Sequence, residues 1–182
     1  YRFEPHLTFY NENIIFFDNK GSILNFDQNS KLIWKSNNYS KEEKKIGPLI
    51  SISQNNNLII AADNLGNFYG LNAIDGKRLW LKKNDSSFNS QIKIFQNFFF
   101  VLDVNNTLNC FSIENGNKLW SFYTEESFIN SNKISSMIIK NEKIIFTNSL
   151  GDITALDIND GKLLWQISTL KSKIFEDIMK LN

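Results

Sequence analysis

Residues 151–165 read GDITALDINDGKLLW, and they are the clearest of four related copies. Residues 66–80 read GNFYGLNAIDGKRLW and residues 106–120 read NTLNCFSIENGNKLW. The earliest copy, GSILNFDQNSKLIW over residues 21–34, is one residue short and lacks the second glycine. Aligned on their tryptophans, Trp34, Trp80, Trp120 and Trp165, the copies stand 46, 40 and 45 residues apart. A period in the forties with four strand-like runs per unit is what a propeller blade requires.

Each part of the copy has a physical task. Asp75-Gly76, Asn115-Gly116 and Asp160-Gly161 sit between apolar runs, where such pairs tolerate positive φ and favour tight hairpins. A second turn lies upstream, reading DNKG from Asp18, DNLG from Asp63, DVNN from Asp103 and NSLG from Asn148. Its first side chain can bond back to its own turn while the last residue takes the left-handed conformation. One tryptophan per unit suits the seam between neighbouring blades, where a large flat side chain fills the gap.

The second strand-like run of each unit carries the fold argument. IIFF, LIIAA, FFFVL and KIIF are apolar continuously rather than alternately. A strand facing water on one side alternates, so these runs predict sheets covered on both faces, as in a stack of blades. The expected architecture is all-β: a β-propeller of four-stranded antiparallel blades over about residues 5–37, 48–84, 90–124 and 134–169, read as one domain spanning residues 1–182. Residues 170–182 form either a capping helix or the first strand of a further blade. Four blades in an open arc leave an apolar face at each end. Closure as a four-bladed ring, pairing of two copies into an eight-bladed ring, or membership in a longer chain would each cover those faces. The start at Tyr1 rather than methionine favours the last.

This pattern resembles the quinoprotein-type (PQQ-like) propeller repeat, whose tryptophan-docking motif runs Ala-x-Asp-x-x-x-Gly-Lys-x-x-Trp. Ala155, Asp157, Gly161, Lys162 and Trp165 match every position. Gly70, Asn72, Gly76, Lys77 and Trp80 fill the same places with the alanine and aspartate altered, and Cys110, Ser112, Gly116, Asn117 and Trp120 depart further. None of the tryptophans is followed by aspartate and no Gly-Gly pair occurs, so WD40 and kelch repeats fit less well. The resemblance favours the non-enzymatic, BamB-like branch of the family. It implies a scaffold for protein–protein interaction, a periplasmic or cell-envelope location, and partners among outer-membrane assembly machinery or unfolded β-barrel chains. The alternative it allows is a fragment of a PQQ-dependent alcohol or sugar dehydrogenase; an orphan propeller binding a small ligand in its central channel is a third.

Composition narrows the chemistry. The formal net charge is +1, which gives no field to steer nucleic acid. The mixed-sign run Lys41-Glu42-Glu43-Lys44-Lys45 reads as a solvated inter-blade loop. The longest uninterrupted apolar stretch, residues 98–102, has the length of a strand rather than a membrane span, and no signal peptide is visible. Cys110, the single cysteine, reads as a small core residue, and His6, the single histidine, as a surface group. Neither a catalytic triad nor a zinc site can be assembled from them. Asp18, Asp63 and Asp103 recur once per blade, so they bond their own turns rather than gather around calcium. A quinone site of the dehydrogenase kind calls for adjacent cysteines and a spare tryptophan, and this stretch has neither. No catalytic, cofactor-binding or metal-ligating residue is therefore assigned, and no cofactor is expected. Binding is expected in the inter-blade loops, at residues 39–45 or 125–132, with self-association through the end blades.

Overall fold

The structure, a computed structural model, describes residues 7–18, 20–125 and 135–168. Those residues hold four antiparallel sheets of four strands each. The first contains β1 (Leu7–Tyr10), β2 (Asn13–Phe17), β3 (Ser22–Phe26) and β4 (Leu32–Asn37). After the helix α1 (Lys41–Ile46), the second contains β5 (Ile50–Asn55), β6 (Leu58–Asp63), β7 (Asn67–Asn72) and β8 (Arg78–Lys83). The third contains β9 (Lys93–Phe95), β10 (Phe98–Leu102), β11 (Thr107–Ser112) and β12 (Lys118–Tyr123). The fourth contains β13 (Met137–Lys140), β14 (Lys143–Thr147), β15 (Ile153–Asp157) and β16 (Leu163–Ile167). Spatial order follows chain order in every sheet, so each is a meander. β1 lies beside β5, β5 beside β9 and β9 beside β13, which lines the four first strands up as the inner edge of a propeller.

Three kinds of turn build each blade. The first and second strands are joined by two residues, beginning with Asn11, Asn56, Gln96 and Asn141 at φ between 49° and 53°. Asparagine reaches the left-handed region at less cost than most side chains, so part of the chain's asparagine content has a conformational use. The next turn follows the expected Asx pattern. Asp63 Oδ1 accepts from the amides of Leu65 and Asn67 at 2.8 Å each, and Asp18, Asp103 and Asn148 do the same in their blades. The left-handed fourth residue is Gly21, Gly66, Asn106 or Gly151. The third turn is not the two-residue hairpin that its Asp-Gly pairs suggest. Only the glycine has positive φ, and the Asn72 amide closes onto the Lys77 carbonyl over a wider span.

Every outer strand also carries a register shift at one place, after Asn25, Gly70, Cys110 and Ala155. These residues pair directly with Trp34, Trp80, Trp120 and Trp165. The alanine position of the repeat is thus the floor beneath its own tryptophan, which is why small residues stand there in three of the four blades.

The apolar side chains form three buried clusters, one per seam. Ile15, Phe17 and Ile23 meet Ile50, Ile59 and Leu71 in the first. Ile60 and Phe68 meet Phe99 and Phe111 in the second, and Phe100 and Leu108 meet Ile144 and Phe146 in the third. In β10, Phe99, Phe100, Val101 and Leu102 all have zero exposure, so both faces of that strand are covered. Each such side chain contributes about 1.5–3 kcal/mol relative to exposure. The expectation of two covered faces holds for the middle sheets and fails at the ends. On the first sheet Leu7, Phe9 and Ile14 are exposed, and on the fourth Ile138, Trp165 and Ile167 are exposed. Each end sheet has a neighbour on one side only among the described residues.

The charged run at residues 41–45 is a helix, α1, rather than a loop. Ser40 accepts from the Glu43 amide while Glu43 reaches back to the Ser40 amide, closing a capping box. Gly47 ends the helix in the left-handed region, and Lys44 and Lys45 stand in its last turn. None of its residues is buried, so its solvated character agrees with the sequence. Residues 170–182, expected as a tail helix or further strand, lie outside the described residues.

Candidate functional site

The recurring positions of the repeat assemble at the seams, where they hold one blade to the next. The Trp34 indole crosses from the first sheet to the second, and its Nε1 donates to the Ala73 carbonyl at 2.9 Å. Its ring lies against Gly76, where a Cβ would fall 2.5 Å from the indole. Trp80 lies against Gly116 and Trp120 against Gly161 in the same way, with corresponding approaches of 2.8 and 2.6 Å. Glycine is required there twice over, by the close ring and by a φ of 69–70°. The motif aspartate serves the same turn: Asp157 Oδ1 accepts from the Asn159 amide at 2.8 Å, as Asn72 does from Ile74 at 2.9 Å. Trp165 stands 39% exposed against 7% for Trp34.

Of the two candidate binding loops, residues 39–45 are described and residues 126–132 are not. The first begins with a buried seat. The Tyr39 hydroxyl donates to Asp63 Oδ2 at 2.6 Å, and its ring meets Tyr69 edge-on at 6.2 Å. Asn67 Nδ2 links Asp63 to Glu43 of α1, so the helix is moored to the second blade. Glu43 is held below the usual carboxylate range, first by the Ser40 amide. Burial pushes the Tyr39 phenol far up, which keeps it protonated and able to donate. Position 39 gave no motif-level signal; only the S-x-x-E spacing after it could have revealed that this linker is ordered.

Burial also raises the Asp63 carboxyl above its ordinary range, and the Tyr39 hydroxyl is the largest influence opposing that rise. A raised folded-state value means the native state holds the proton more tightly than the unfolded chain does. Asp63's contribution to stability therefore falls as pH climbs from the ordinary carboxylate range through the raised value. Tyr39→Phe removes a hydrogen bond to this carboxylate and raises the value further. The expected loss is about 2 kcal/mol near neutral pH, shrinking as acidification carries the carboxyl down through its raised range toward about pH 4. Urea denaturation at both pH values checks this; an equal loss at both would mean that Asp63 is not ionised in its seat.

The groups usually examined for chemistry are dispersed. Cys110 has zero exposure and burial pushes its thiol up to about 12, the behaviour of a small core residue. His6 lies outside the described residues. Among the described residues no three His, Cys, Asp or Glu side chains gather as a metal site would require. The same residues include no helix long and apolar enough to cross a membrane.

Comparison with known proteins agrees with this geometry. A family model described as outer membrane protein assembly factor BamB matches residues 19–181. No curated protein matches the sequence. Among solved structures, BamB from Moraxella catarrhalis superposes with a TM-score of 0.66 at 14% identity, over 90% of this chain and 51% of that one. The chain thus spans about half the length of that BamB. A europium-containing methanol dehydrogenase superposes with a TM-score of 0.74 at 13% identity, over 90% of this chain and 41% of that one. The computationally designed Ika4 protein gives 0.67 at 12% identity, over 87% of this chain and 94% of that one. At these identities the structural likenesses speak for the propeller fold alone.

Proposed function

Because this chain belongs to the family of outer membrane protein assembly factor BamB, we propose that it is a non-enzymatic propeller scaffold assisting β-barrel assembly in the cell envelope. The observation that carries the reading is how the polar side chains of the repeat are used. Asp63, Asp103, Asn148 and Asp157 bond to their own turns, and the tryptophans serve as docking groups between blades. What the frame presents outward is a set of inter-blade connections on a rigid support, the usual place for binding. Among the described connections, helix α1 is anchored through Tyr39, Asp63 and Asn67, and its charged face is free to meet a partner. An outer strand can in addition receive an extended segment of an unfolded barrel chain by edge pairing.

A photo-crosslinking residue at Lys41 or Lys44 tests this in cells of the source organism. The expected product joins the chain to a component of the outer-membrane assembly machinery or to a barrel precursor. Absence of any such product at both positions, with the protein folded and present in the envelope, overturns the reading. The rival dehydrogenase reading is checked by adding quinone and calcium to the purified protein. A change in the quinone spectrum with alcohol oxidation would establish the rival.

A further inference from the structure

The rim between the second and third sheets holds a cleft of about 210 Å³ with an unusual lining. Lys82, Lys83 and Lys118 face it together with a single carboxylate, Asp85, and the rings of Phe68 and Phe111 supply its apolar wall. Three cations against one anion give a local excess of two in a chain whose whole net charge is +1.

Blade packing does not ask for these lysines. Counted from the tryptophans, their counterparts are Ser36, Asn37 and Arg78 at the first seam and Phe122, Tyr123 and Leu163 at the third. Polar, aromatic and aliphatic side chains and the single cation Arg78 all serve the rim at the other two seams, so three lysines at one seam call for another reason. They are also positioned. Lys118 Nζ donates to Asn84 Oδ1 at 3.3 Å and stands 5.7 Å from the centroid of the Phe111 ring. Lys82 Nζ donates to Asn117 Oδ1 at 3.1 Å. An ammonium carries three donors, so both keep capacity for a ligand. Among the described residues the ion pairs are Lys35–Asp18, Lys77–Asp75 and Lys162–Asp160, and none of the cleft lysines is engaged in one. Lys83 acts at longer range on Glu43.

We propose that this cleft binds the carboxylates of an acidic polypeptide segment. Tethered ammonium groups make charge-assisted hydrogen bonds to carboxylate oxygens, above a floor formed by the buried Phe68 and Phe111 side chains. The site stands independently of the assembly reading.

The test is an NMR titration of the full chain with an acetylated, amidated hexaglutamate peptide. Shifts are expected to centre on Lys82, Lys83 and Lys118 and to saturate. Lys82→Gln with Lys118→Gln should weaken binding about tenfold, as expected for two exposed charge pairs, without lowering the melting temperature. Lys77→Gln, remote from the cleft, should leave binding unchanged. Asp85→Asn removes the opposing charge and should tighten binding about threefold, which keeps the test decisive if the double variant folds poorly. Three results would each overturn the proposal: no saturable shift up to millimolar peptide, an equal loss with Lys77→Gln, or inorganic phosphate saturating the same residues as tightly as the peptide.

Discussion

Gly76→Ala is expected to cost about 2–5 kcal/mol of stability, an unusually large loss for a single added methyl group. Two penalties combine. The residue sits at φ 70°, where a Cβ costs an L-residue about 1–2 kcal/mol. That Cβ would also fall 2.5 Å from the Trp34 ring, which is held in place by its bond to the Ala73 carbonyl. Forcing atoms into such a fit adds about 1–3 kcal/mol. Gly47→Ala isolates the first penalty, because Gly47 has φ 81° and nothing within 4 Å of its would-be Cβ. It should cost about 1–2 kcal/mol. Equal urea midpoints for the two variants would show that the indole yields freely, and the seam would then not be the rigid joint described above.

Trp34→Ala should be comparably severe, at about 3–5 kcal/mol, because the side chain is 7% exposed and fills the first seam. Trp165→Ala should cost only about 1 kcal/mol in the same chain. Its ring covers Ala155 beneath it but stands 39% exposed. Denaturation of the two variants measures the contrast, and iodide quenching gives an independent reading. Trp165 should be quenched freely and Trp34 should be shielded. A large loss with Trp165→Ala would mean that its face is covered in solution, as self-association through the end blades would require.

The fold was legible because a packing constraint repeats at a fixed period. A tryptophan that must lie on its neighbour's glycine, with a small residue beneath it, leaves the same spacing in three of the four copies. The aspartates of the Asx turns were legible for a similar reason, since the hydrogen bonds are local to four or five residues. What the sequence hid is what depends on partners distant in the chain. Tyr39 and Asp63 are 24 residues apart and meet only once the seam forms. The lysines of the second rim come from two different blades and share no motif. Ile14 and Ile145 lie in runs as apolar as β10, yet each end sheet has one uncovered side, because coverage is decided by the neighbour and not by the strand. Helix α1 carries no buried apolar stripe, so the Ser40–Glu43 spacing of its capping box is its main mark in the sequence.

Ser30 gives the stack a direction. It occupies the left-handed place of the first blade's third turn, at φ 63°, where Gly76, Gly116 and Gly161 stand in the others. Its turn is tighter as well, closing from the Asp27 amide to the Lys31 carbonyl instead of over the longer Asn72–Lys77 span. An incoming indole would strike the serine Cβ, so this blade can lend a ring but is poorly shaped to accept one. A circularly permuted gene that places residues 7–37 behind residue 168 should therefore fail at the new junction. Restoring it would take an inserted residue together with Ser30→Gly.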